Sequence, residues 1–168
     1  MALTQVASGL IASVSGASLT GTQNIPKATL PTGSVLQVVQ ASTAATISNT
    51  STSFVTTGFS VTITPSSSSS KILLSLNGGG AQLSANQDFY ITIYRGATNL
   101  GGGTNTCFEY WHCDTAPLYA THSVQYLDSP ATTSATIYTV YFKNSNSGTT
   151  YFTNNNANIY FTAMEVSA

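Results

Sequence analysis

Side chains able to do chemistry are few and thinly spread. Nine carry formal charge: Lys27, Lys71, Arg95 and Lys143 against Asp88, Glu109, Asp114, Asp128 and Glu165. Glycoside hydrolysis by paired carboxyls needs two of them roughly 5–9.5 Å apart in a groove. Glu109 and Asp114 are the one acidic pair close in sequence, and nothing beside them marks a groove. Asp128 stands in Leu127-Asp128-Ser129-Pro130, where an Asp before Ser-Pro is expected to hydrogen-bond its own turn. Glu165 is out of phase with Met164 and Val166 and is expected at the surface. His112, Cys113 and Asp114, with Cys107 and the more distant His122, offer metal donors, but their spacing follows no zinc pattern. Ordinary strand or loop roles are the ones expected of them. A hairpin through CFEYWHC would bring Cys107 and Cys113 to bonding distance, and two buried or half-buried thiols explain them too. The Gly78–Gly80 and Gly101–Gly103 runs lack the following helix and Lys-Ser/Thr of a phosphate loop. The expectation is a protein with no catalytic residues, metal or cofactor, and hence not an enzyme.

Residues 107–119 are the densest functional candidate. They hold Phe108, Tyr110, Trp111 (the only tryptophan), His112 and Tyr119. Aromatic faces beside amides and hydroxyls suit sugar stacking, and aromatic rings also anchor subunit contacts. Phe108 and Trp111 suit a core position as well, so core, subunit contact and external ligand all stand open.

The elements positioning these residues read as strands. In 59–65 Phe59, Val61 and Ile63 share one face and hydroxyls the other. The same alternation sets Ile72, Leu74 and Leu76 together in 71–77, where Gly78–Gly80 is expected to end the strand. Phe89, Ile91 and Ile93 align in 88–95, opposite Tyr90, Thr92 and Tyr94. Tyr138, Val140 and Phe142 align in 136–143. Further strands are expected at 34–40, 119–126, 149–153 and 158–167. Period-two alternation with one polar face marks antiparallel sheets buried on one side. Eight or so strands between turn clusters predict an all-β, antiparallel two-sheet β-sandwich of jelly-roll type.

The chain divides near Gly33. Residues 1–33 scatter Leu3, Val6, Leu10, Ile11, Val14, Leu19 and Ile25 among glycines, with Pro26 and Pro31 at the end. This reads as an extended arm before the sandwich at 34–168, either frayed in water or ordered along a partner.

Composition narrows the function. Only 5% of the 168 residues are charged, against about 25% in an ordinary domain. The surface must be hydroxyls and amides. It has no basic stripe for nucleic acid, and a net charge of −1 gives little self-repulsion. Such a surface fits packing into an assembly or facing sugars. No run of 18 apolar residues exists to span a membrane. The opening MALTQVASGLIASVSG has no basic residue before its apolar stretch and is not expected to be a secretory signal. Release by viral lysis is one other route to an exterior.

The segments GSVLQVVQ, TSFVTTGFSVTITPSSSSSKILL, YRGATNLGGG, YLDSPATTSATIYTVYFK and FTAMEVSA resemble small tail-fibre-like or virion structural proteins of tailed bacteriophages infecting cyanobacteria and other aquatic bacteria. The likeness covers most of 33–168 and, more loosely, the arm, but not CFEYWHCDTAPLYATH. It implies a β-sandwich on the particle surface, commonly a homotrimer, attached to other virion proteins through the N-terminal segment. A short fibre or spike component touching the host surface, through a glycan for instance, is the leading expectation. A capsid decoration (cement) protein that stabilises the head shell is the alternative, and a lectin-like module is a third.

Overall fold

Side chains that alternate between apolar and hydroxyl-bearing types form strands because each strand can then bury one face and wet the other. The computed structural model describes residues 30–168 except 104, 116 and 147. The arm residues Leu3, Val6, Leu10, Ile11, Val14, Leu19 and Ile25 lie outside the described residues. Eleven strands are described: β1 (Val35–Thr43), β2 (Ile47–Asn49), β3 (Val55–Ile63), β4 (Lys71–Leu83), β5 (Gln87–Arg95), β6 (Thr98–Asn99), β7 (Glu109–Cys113), β8 (Leu118–Asp128), β9 (Thr136–Asn144), β10 (Thr150–Thr153) and β11 (Ile159–Val166). No helix occurs among the described residues.

The strands form two antiparallel sheets. In one, β1 pairs β11, β11 pairs β4 and β4 pairs β8, while β10 joins β2 to the far end of β4. In the other, β3 pairs β9 and β9 pairs β5, with β6 and β7 along the free side of β5. The expected inward residues Phe59, Val61, Ile63, Ile72, Leu74, Leu76, Phe89, Ile91, Ile93, Tyr138, Val140 and Phe142 are all buried. Each fully buried Phe, Leu, Ile or Val contributes roughly 1.5–3 kcal/mol. Rings run through this core in contact: Phe161 to Phe59 (6.1 Å between centroids), Phe59 to Phe152 (6.5 Å), Phe152 to Phe142 (5.9 Å) and Phe142 to Phe89 (5.7 Å).

Three expectations are corrected. First, Gly78–Gly80 does not end its strand: β4 continues to Leu83 through a bulge between Gly78 and Ala81. Gly78 has φ +95°, and a Cβ there would stand 2.5 Å from the Asn158 carbonyl oxygen. Glycine thus lets a bent strand pass close to the chain before β11.

Second, Glu165 is buried, not surface-facing, at 0% exposure. It shares the inward phase of Phe161 and Ala163. Its carboxylate accepts from the Ser66 amide and hydroxyl (both 2.6 Å), the Ser70 hydroxyl (2.8 Å) and Gln37 Nε2 (2.6 Å). The Ser66–Ser70 turn is therefore a donor shell that fastens the β3–β4 connection to β1 and β11.

Third, Asp128 does not serve its own turn. It accepts from Arg95 Nη1 at 2.7 and 2.8 Å and from the Tyr138 hydroxyl at 2.7 Å, linking β8 of one sheet to β5 and β9 of the other. Burial, and then this carboxylate, hold the Tyr138 phenol above its ordinary pKa.

The described unit runs from Pro31 to Ala168, and its two ends are tied together. Gly33 N donates to the Ser167 carbonyl and Ser167 N to that of Ser34, both at 2.9 Å.

Burial alone would raise the Glu165 pKa, but the donors from Ser66, Gln37 and Ser70 outweigh it and hold the group at about 2, below its ordinary 4.5. A depressed folded-state pKa contributes stability above the unfolded value that is lost as pH falls through the folded one. The interval is worth roughly 3 kcal/mol. Unfolding free energy, followed by denaturant titration, is expected to fall between about pH 4.5 and 2, and Glu165→Gln to flatten that fall while lowering stability at pH 7.

Candidate functional site

Residues 107–119 were one cluster in sequence, and pleating divides them. β7 lies along the edge of the second sheet, pairing Asp88 with His112, Phe89 with Trp111 and Tyr90 with Tyr110. Alternate residues therefore face opposite ways.

The inward set closes a seam. Trp111 stacks on Phe89 (6.0 Å between centroids) and, at 4° between planes and 5.4 Å, on His122 of β8. Phe108 packs against Tyr126 at 4.9 Å. His122 is buried, with Nδ1 2.9 Å from Glu109 Oε2 and Nε2 2.7 Å from the Phe152 carbonyl oxygen. Glu109 Oε1 also accepts from the Ser123 amide at 2.7 Å. Glu109, Trp111 and His122 thus join the edge of one sheet to the edge of the other.

The outward set forms a polar, aromatic patch. His112 sits between two carboxylates, Nδ1 at 2.5 Å from Asp88 and Nε2 at 2.7 Å from Asp114. Asp88 also accepts from the hydroxyls of Tyr110 (3.0 Å) and Tyr90 (3.2 Å). The Tyr90 and Tyr110 rings are 5.0 Å apart. The Lys143 ammonium lies 4.8 Å from the Tyr90 ring and 4.9 Å from that of Phe54, within the range of a cation–π contact. Burial would raise the Asp88 pKa, but hydrogen bonds from His112, Tyr110, Ser145 and Tyr90 hold it below its ordinary 3.8. Burial and the Asp88 charge push the Tyr90 phenol up to about 12.

Tyr119 belongs to neither set. It projects from β8 on the outer face of the first sheet and is 62% exposed. Register there aligns Val38 with Met164, Met164 with Leu73 and Leu73 with Leu127. This is one apolar row across four strands, with Val38 58% and Leu127 53% exposed. Val35 and Val166 pair beside it. Of the exposed large apolar side chains, Val35, Val38, Tyr119, Leu127 and Tyr160 lie on this face, and Tyr110 and Ile137 on the other. Lys71, at the corner of the face and donating to the Ser129 hydroxyl at 2.7 Å, is its one charged residue among the described residues.

No disulfide joins Cys107 to Cys113, and no group of three or more His, Cys, Asp and Glu side chains is arranged to hold a metal ion among the described residues. Glu109 and Asp114 are separated, one in the seam and one outside. Sequence reasoning missed Asp88 as the hub of the patch and missed the apolar row entirely. No family model matches the chain, and no curated protein matches it.

Trp111→Ala removes the ring that spans Phe89 and His122 and is expected to cost about 3 kcal/mol. An unchanged melting temperature would show that the seam does not depend on it. The hydrogen bond to Asp88, then that to Asp114, raises the His112 pKa above its ordinary 6.5. Such a group contributes stability fully present below the unfolded pKa and lost as pH rises through the folded one. In an NMR titration the His112 midpoint is expected above 6.5 and lower in Asp114→Asn than in the wild type.

Proposed function

We propose that the protein is a structural component of a bacteriophage particle surface, a short tail-fibre or spike-type module. It self-associates through the outer face of the β1-β11-β4-β8 sheet and turns the other sheet outward. The single observation that carries this reading is the Val38–Met164–Leu73–Leu127 row. Contiguous apolar surface on a soluble domain marks an interaction site. A second copy is the fitting occupant, because among the described residues this face carries no charge but Lys71 at its corner, too little to repel its own kind or select a charged partner.

Four strands about 4.8 Å apart and roughly eight residues long at 3.3 Å each give a face on the order of 500 Å² in projection. That approaches the roughly 800 Å² per partner of a standard interface. A closed ring of copies, the homotrimer that the sequence likeness implies, buries the face on every subunit.

The strand orders β1-β11-β4-β8 and β3-β9-β5-β7 support a jelly-roll sandwich, an architecture shared by virus coat and lectin domains. The segment before Pro31 then joins the module to tail or capsid proteins, while Pro31 and Gly33 are held by the sandwich through Ser34 and Ser167.

Light scattering after size exclusion tests this reading. The wild type is expected as an oligomer of the 17.5 kDa chain. Leu73→Lys, which sets an ammonium in the row and leaves the core untouched, is expected to be a monomer with an unchanged far-ultraviolet spectrum. A wild type monomeric at high concentration, or an oligomer indifferent to Leu73→Lys, overturns the assignment of this face.

A further inference from the structure

We infer that the patch around Tyr110, Asp88, His112 and Asp114 is a binding site for a neutral saccharide. This rests on the reading above, in which the sheet carrying the patch faces away from the subunit contact.

Charge placement is the first argument. Arg95 and Asp128 pair with one another, Glu165 and Glu109 are engaged inside, and Lys71 holds a corner of the opposite face. The remaining charged side chains among the described residues, Asp88, Asp114 and Lys143, stand together on the outer face of the second sheet with His112. In a chain 5% charged, this is where the exterior departs from hydroxyls and amides.

Ring geometry is the second. The Tyr90 and Tyr110 hydroxyls both donate to Asp88, which fixes the rings before any ligand arrives. Lys143 and Tyr110 flank the Tyr90 ring, whereas Tyr110 is 50% exposed. A fixed, open aromatic face receives the C–H face of a pyranose ring. Ordering it beforehand removes an entropy cost from binding.

Polar chemistry is the third. The Asp114 side chain is 79% exposed and the His112 ring 49%. A carboxylate accepts from sugar hydroxyls through charge-assisted hydrogen bonds. Two carboxylates beside Tyr110, with Lys143 drawn over the Tyr90 and Phe54 rings, disfavour phosphates and acidic sugars. The ligand class is thereby narrowed to uncharged sugars.

Saturation-transfer NMR on the full chain tests this, with the methyl pyranosides of glucose, galactose, mannose and N-acetylglucosamine as probes and glucuronic acid as the charged comparison. Transfer to at least one neutral pyranoside is expected, with movement of the His112 ring signals. It should be lost in Tyr110→Ala, kept in Tyr110→Phe and weakened at least severalfold in Asp114→Asn. No transfer to any neutral probe, transfer that survives Tyr110→Ala in a folded protein, or preference for glucuronic acid overturns the inference. Leu73→Lys separates this inference from the assembly reading. Binding should persist in that monomer, so lost binding with intact assembly overturns only the saccharide site. Intact binding in a wild type that never assembles overturns only the subunit face.

Discussion

The structure depends on three carboxylates turned inward and saturated with donors. Glu165 gathers Ser66, Ser70 and Gln37 at one edge of the sandwich. Asp128 draws Arg95 and Tyr138 across from the other sheet. Glu109 holds His122 and the Ser123 amide at the opposite seam. Taking a carboxylate out of water costs several kcal/mol, and only near-complete hydrogen bonding offsets it. Each of these sites therefore demands one relative placement of its elements, which a purely apolar core would leave looser. The arrangement also empties the exterior: three of the five acids are drawn into seams, leaving outer faces of hydroxyls, amides and apolar rows.

A nearly uncharged exterior makes the two outer faces legible by contrast. One carries an apolar row in register across β1, β11, β4 and β8, with Lys71 at its margin. The other carries Asp88, His112, Asp114 and Lys143 among tyrosines. Strand pairing sets both, since period-two alternation sends each residue to a face and register decides its neighbours. The Tyr90–Tyr110 and Asp88–His112 pairs exist because β7 docks on β5 in one register. A slip by one residue would put Trp111 outside and His112 into the core.

Much of the sandwich was legible from sequence because Phe59, Ile72, Phe89 and Tyr138 each begin a clean alternation. β7 was not, since Glu-Tyr-Trp-His-Cys sets large side chains on both faces and no amphipathic period emerges. For Glu165 the signal was present. It keeps phase with Ile159, Phe161 and Ala163, but reading Met164 and Val166 as the inward pair sent it to the surface. The two serines and one glutamine that satisfy it stand far away in sequence, the serines in a run that reads as a plain turn. Asp128 misled similarly, because a local Asx-turn is visible in a sequence window and a partner such as Arg95 is not. The apolar row escaped notice because Val38, Leu73, Leu127 and Met164 come from four strands and meet only through long-range register.

A density map of the assembled protein at side-chain resolution tests the central claim most directly. Val38, Leu73, Leu127 and Met164 are expected within about 4.5 Å of another copy, the distance of apolar contact, with Tyr110 and His112 in solvent. A map showing that row bathed in water, or Tyr110 and His112 sealed into the subunit contact, would contradict it.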